Sequence, residues 1–283
     1  MPNVIACDVT LFKRSMLPLV ISLVILQFSS NNPFIVFAQT ANQTIPNIPS
    51  GPPEFQEPSA PQKATSTNNS CTLSSSSLHA TPQQTEGPYF VDGMPNRSDI
   101  RSDTSNGLVE KGIKFNLILH VYGINGGQCV PLKGAKVDIW HANSQGVYSA
   151  VSDMGTTQNN FLRGYQITDN NGIVKFTTIY PGWYQGRAIH IHDKVRTFNG
   201  SQTNLEWTSQ IYFNDSMNDQ IHKLAPYSTH EAPQTTDKQD MIFTGPSTDG
   251  LVKSSSGKLL LINVTKSGEN AYEGLFNIVL NAK

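Results

Sequence analysis

Charge is scarce in this chain. Only 14% of its 283 residues are Asp, Glu, Lys or Arg, and 20 basic side chains face 21 acidic ones. A nearly neutral protein lacks the electrostatic footprint that nucleic acid requires, and no cluster of Lys and Arg forms a polybasic membrane patch, so neither partner is expected. Cysteine is scarcer still, at three residues, and none of them makes the paired pattern of a zinc site. Gly-rich phosphate loops and Gly-x-Ser-x-Gly are missing, which removes several enzyme classes. No internal repeat and no convincing amphipathic helix of three turns is found. The apolar run from Met16 to Phe28 is too short to span a bilayer comfortably.

That run instead reads as the core of a secretory signal over residues 1–38. Lys13 and Arg14 precede it, and Val36-Phe37-Ala38 offers a small residue for cleavage before Gln39. Residues 39–70 are rich in Pro, Ser, Thr, Asn and Gln, and cannot bury enough apolar surface to offset their ordering entropy, so they read as a flexible linker. Cleavage removes Cys7 and leaves Cys71 and Cys129. An even count in an exported protein predicts a disulfide between them. Asn-x-Ser/Thr triplets occur at several positions, but a chain this rich in Asn, Ser and Thr carries them by chance, and no modification is inferred from them.

Residues 71–283 read as one folded domain. Phe115, Leu117, Leu119 and Val121 alternate with Asn116, Ile118, His120 and Tyr122, and further strand patterns run over 135–140, 173–179, 189–195, 209–213, 259–264 and 274–280. Turn clusters separate them, at Gly126-Gly127, Asn170-Asn171-Gly172 and Ser254 to Gly257. This pattern predicts an all-β fold, an antiparallel β-sandwich with long loops. Short helices are expected only within 214–224 and 235–242.

The densest chemistry lies between Tyr180 and His192. Within an extended strand, His190 and His192 point to one face and Ile189 and Ile191 to the other, so one strand offers two adjacent imidazole ligands. Pro181 and Gly182 make a tight approach that returns Tyr184 towards the same spot, and Arg187 adds a positive charge. A second phenol, Tyr148, starts the strand that follows the turn after Val137 to Trp140. Asp193 would complete a two-His, one-carboxylate set of the ferrous kind, but one residue beyond His192 it faces the other way. His79, His120, His141, His222 and His230 are expected to be structural or exposed.

With these residues in view, the chain resembles the intradiol ring-cleavage dioxygenases, non-haem iron enzymes that split catechols between the two hydroxylated carbons, and within them a secreted, single-domain branch. That family holds ferric iron with two Tyr and two His, which match Tyr148, Tyr184, His190 and His192 in the same order. Flanking matches are Thr85-Glu-Gly-Pro-Tyr89-Phe90, Pro131 to Trp140, and Phe161-Leu-Arg163-Gly164 leading to Thr168-Asp169 and Gly172. Phenolates are hard anionic donors that favour ferric over ferrous iron. The resemblance implies that Tyr184 leaves the metal and takes a proton from the arriving catechol, that Tyr148 remains a phenolate, and that Arg187 stabilises charge developing on the ring. Tyr89 is expected to line the substrate pocket or else to pack within the Glu86-Gly-Pro-Tyr89 block, and Trp183 to shape the pocket wall, with core packing as its other reading. The partners implied are a catechol and O2, and the product is a muconate-type dicarboxylic acid.

Only five residues separate Tyr184 from His190, a short link for the family, and no helical segment is expected ahead of Cys71. An open site, tolerant of ring substituents, and a monomer or weak homo-oligomer are therefore expected. Two rivals account for less. A cupin-type metal enzyme wants a Glu and a third His soon after His-x-His, whereas the next Glu is Glu206 and the next His is His222. A non-catalytic secreted β-sandwich binding module leaves the Tyr, Tyr, His, His set unexplained.

Overall fold

Alternation in the sequence becomes alternation in burial along β1 (Lys114–Asn125), where every second side chain from Phe115 onward is buried. The computed structural model describes residues 79–230 and 234–281. The expected signal over 1–38, the linker over 39–70 and Cys71 lie outside the described residues.

β1 is the spine of a five-stranded sheet. One of its edges pairs with β2 (Gln128–Pro131) and β5 (Ile173–Ile179) and the other with β9 (Ala271–Leu280), which in turn pairs with β8 (Asn263–Gly268). A second sheet of four strands has the order β4 (Arg163–Ile167), β3 (Lys136–Trp140), β6 (His190–Asn199), β7 (Gln202–Tyr212). Leu117, Leu119, Phe176 and Ile278 of the first sheet share one buried core with Val137, Ile139, Ile191, Val195 and Ile211 of the second. This is the expected all-β sandwich. Between these strands every pairing is antiparallel except β1 with β9, which is parallel; β8 and β9 form an antiparallel pair.

Three local expectations change. β2 and β4 were not legible as strands, being short and partly polar. The pattern over 259–264 is divided: 256–260 form a tight 3-10 turn, and strand begins only at Asn263. Backbone bonds explain the turn, because Ser255 and Ser256 donate to the carbonyls of Thr244 and Gly245 rather than to a neighbouring strand. Of the two short helices, α1 (Asp215–Ile221) falls where expected, with the Asn214 side chain accepting from the Ser216 N–H as its cap. The other, α2 (Met241–Thr244), begins later than expected, after Asp240 caps it.

Strand β6 positions the chemistry. Ile191, Asp193 and Val195 point inward, and His190, His192, Lys194 and Arg196 occupy the opposite face. That face is covered by the segment from Gln84 to Asp92, pinned by ion pairs of Lys194 with Glu86 and of Arg196 with Asp92 (2.7 Å).

Candidate active site

Two close approaches of backbone bring the tyrosines together. Gly146 has a φ of +78°, and a Cβ there would lie 2.2 Å from the Trp183 carbonyl oxygen; a Cβ on Gly182 would lie 2.1 Å from the Asn143 carbonyl oxygen. Only glycine fits at either place. The turn that precedes Tyr148 therefore touches the turn that precedes Tyr184, and their ring centroids lie 5.7 Å apart.

Both phenols converge on the histidines. Tyr148 Oη and Tyr184 Oη each lie 3.4 Å from His190 Nε2, and His192 Nε2 lies 3.1 Å from the same atom. Tyr148, His190 and His192 are buried, and Tyr184 is half-buried. His190 Nδ1 stands 2.6 Å from the Ala188 carbonyl oxygen. A carbonyl only accepts, so the proton sits on Nδ1 and Nε2 presents its lone pair to the convergence point. His192 is oriented differently: its ring stacks on Trp140 at 4.8 Å and 4°, and its Nδ1 has no hydrogen-bond partner among the described residues.

Burial, reinforced by Arg187, drives both imidazoles well below their ordinary range, so they are neutral ligands. Burial also raises Tyr148 far above the usual phenol range, with Tyr184 adding to it. Two buried phenols ionise together only beside a strong cation. The donor set thus fits ferric iron, with two oxygens able to become phenolates and two nitrogens already bare. Among the described residues no group of three or more His, Cys, Asp and Glu forms an alternative metal site.

Arg187 packs beside the set. Its guanidinium donates to Asp240 (3.0 Å), Tyr184 Oη (3.4 Å), Tyr212 Oη (3.3 Å) and Gln210 Oε1. Burial opposes its charge, but Tyr212, Tyr184 and Asp240 outweigh that, and the guanidinium stays protonated. Asp240 also accepts from the Ala188, Ile242 and Phe243 N–H groups, which ties the start of α2 to the site.

Of the other expected residues, Tyr89 joins the cluster, its ring 4.6 Å from Tyr148 and 6.2 Å from Tyr184. Trp183 does not. It packs in the main core, stacked on His222 at 4.1 Å and tilted against His230 at 4.3 Å. Of the two readings of Trp183, these contacts favour core packing over a pocket wall. Asp193 lies in register with Ile139 and Ser209 on the inner face, away from both imidazoles. Cys129 is disulfide-bonded. His141 is structural, bonded to Thr178 (2.7 Å) and the Ala142 carbonyl (2.9 Å).

Sequence reasoning missed Gln210, Asp240 and the stacking role of Trp140. Gln210 had a signal: it is a polar residue between Ser209 and Ile211 in a strand whose alternation puts it on the histidine face. It links Arg187 to the covering segment, since its amide donates to the Thr85 carbonyl at 2.8 Å.

The described part of the chain is similar to known proteins. A family model described as Dioxygenase matches residues 85–281. The solved intradiol ring-cleavage dioxygenase from Tetranychus urticae is 32% identical, with a TM-score of 0.61, over 72% of this chain and 95% of that one. Catechol 1,2-dioxygenase of Acinetobacter baylyi is 40% identical over 113 residues, 38% of this chain and 33% of that protein. Catechol 1,2-dioxygenase 1 of Acinetobacter lwoffii is 27% identical over 215 residues, 67% of this chain and 64% of that protein. The chain thus spans between a third and just under two thirds of the length of these two curated relatives. With the family model matched over residues 85–281 and the solved intradiol ring-cleavage dioxygenase matched over 72% of this chain at 32% identity, the chain belongs to the intradiol ring-cleavage dioxygenase family.

Proposed function

We propose that this chain is an exported non-haem ferric dioxygenase that uses O2 to cleave catechols between their two hydroxylated carbons, giving muconate-type dicarboxylic acids. The observation that carries the reading is the convergence of two phenol oxygens and two imidazole nitrogens within 3.1 to 3.4 Å contacts around His190 Nε2. The catechol 1,2-dioxygenase relatives support the substrate class.

Tyr148, Tyr184, His190 and His192 would hold the iron, which supplies, when bound, the Lewis acidity that ionises a catechol and enriches its ring towards O2. Tyr184 is half-buried and the more displaceable phenol; its Oη takes a proton from one catechol hydroxyl. Tyr148, fully buried, has no room to swing out and remains in place. Arg187 carries a fixed charge 3.4 Å from Tyr184 Oη, and stabilises negative charge as it develops on the ring. Tyr89 packs its ring against both phenols, tilted on Tyr148 and edge-on to Tyr184.

Export rests on the signal-like residues 1–38, and the bonded state of Cys129 supports it. No helix among the described residues is long and apolar enough to cross a membrane. The cupin alternative loses support from His222, which would have to be its third histidine and is stacked on Trp183 instead. The test is product analysis. Iron-loaded protein given catechol and isotopically labelled O2 is expected to yield one dicarboxylic acid carrying both labelled atoms. Incorporation of a single atom, or cleavage outside the two hydroxylated carbons, would refute the proposal.

A further inference from the structure

Arg163 opens β4 and is 1% exposed, one of the largest fully buried side chains of the protein. Its hydrogen bonds all go to neutral oxygens. Nε donates to the Ser149 carbonyl (3.1 Å) and to Ser149 Oγ (2.9 Å), one terminal nitrogen donates to the same carbonyl (2.7 Å), and the other to the Tyr89 carbonyl (2.7 Å). Among the described residues no carboxylate pairs with it. Burial outweighs the opposing pull of Tyr148 and lowers the guanidinium to about 10, so it is protonated at neutral pH.

A buried cation without an anion is costly unless the site supplies one. The guanidinium carbon lies over the Tyr148 ring, 5.9 Å from its centroid. We infer that Arg163 is a positioning residue for the metal centre: it is a counter-cation of the Tyr148 phenolate alongside Arg187, and by holding the Ser149 and Tyr89 carbonyls at once it sets Tyr89 against that phenolate. This rests on the ferric reading above.

Two separable consequences follow from the geometry. A cation beside a phenolate lowers the energy of its donor electrons, so removing the charge moves the tyrosinate-to-iron absorption to lower energy. Losing the anchored Tyr89 carbonyl loosens one wall of the catechol site, which raises KM. Neither consequence follows from a residue that only supports the fold.

The experiment compares iron-loaded wild-type protein with Arg163→Gln and Arg163→Lys. All three are expected to hold iron, since Arg163 supplies no ligand atom. Arg163→Gln should shift the absorption to lower energy and lower kcat by about tenfold or more, the usual cost of removing a partner of a metal ligand. Arg163→Lys keeps the charge but cannot fork between two carbonyls, so its band should stay at the wild-type position while KM rises several-fold. A band unmoved in Arg163→Gln, or moved equally in Arg163→Lys, overturns the inference. If Arg163→Gln does not fold, Arg163→Lys decides alone: an unmoved band with raised KM supports the role, and a moved band overturns it. Wild-type protein that binds iron without any tyrosinate-to-iron band would overturn the ferric ligand set instead.

Discussion

Four oxygens share the Arg187 guanidinium, and only one of them, on Tyr184, belongs to the ligand set. Its removal therefore leaves the metal donors in place. Asp240 keeps three backbone N–H donors, so the start of α2 stays anchored. Arg187→Ala is expected to retain its iron and its fold while kcat falls about a hundredfold, the scale for losing a preorganised charge at a reacting centre. Steady-state kinetics with iron analysis checks this, and an unchanged turnover number would refute the role. At this scale the sequence was informative where spacing alone decides direction: His190 and His192 had to share a face. It was silent on Asp240, and it marked Arg163 and Gln210 only by a motif match and by strand alternation, because their roles come from contacts across 53, 14 to 74, and 23 positions of chain. Trp183 left two readings open because an aromatic next to a ligand suits a pocket wall as well as a core, and its ring packs in the core.

Among the elements, the turns matter more than the strands. The turn at Gly182 must touch the turn at Asn143 for the two tyrosines to meet, and an added Cβ would collide with backbone rather than with a side chain that can yield. Gly182→Ala is accordingly expected to lose most of its bound iron while keeping the β-sheet circular dichroism of the wild type, and full iron loading would count against the account. The loop ahead of α2 carries a different constraint. Burial, with Asp215 and Asp240 adding repulsion, pushes the Asp237 carboxyl up to about 7. The folded state then binds this proton more tightly than the unfolded chain, so its stability is fullest below the ordinary carboxylate range and declines as pH rises towards 7. Asp237→Asn mimics the protonated form. Its Tm should exceed wild type by about 2–4 °C at pH 8, the shift for ~1 kcal/mol in a domain of this size, allowing for partial solvent screening, and should match it at pH 4. Equal Tm values at pH 8 would contradict this. The long strands were legible because their alternation is regular; β2 and β4 were not, because four or five partly polar residues carry too little period to register.

For the molecule as a whole, the sandwich serves as a rigid frame whose second sheet presents one face to the core and the other to the chemistry. Cys129 is bonded just ahead of the strand that leads to Trp140. If export removes Cys7 as proposed, its expected partner is Cys71, which would tie the start of the domain to that frame. Peptide mapping of non-reduced mature protein should recover the Cys71 to Cys129 link, and two free thiols would count against both the bridge and the export reading. The ligand set of the metal centre is read out by the visible absorption spectrum of purified, iron-loaded protein. Two phenolate ligands on ferric iron predict a broad burgundy tyrosinate-to-iron band that changes when catechol is added without O2, as Tyr184 gives way; iron bound in full with no such band would contradict the ligand set.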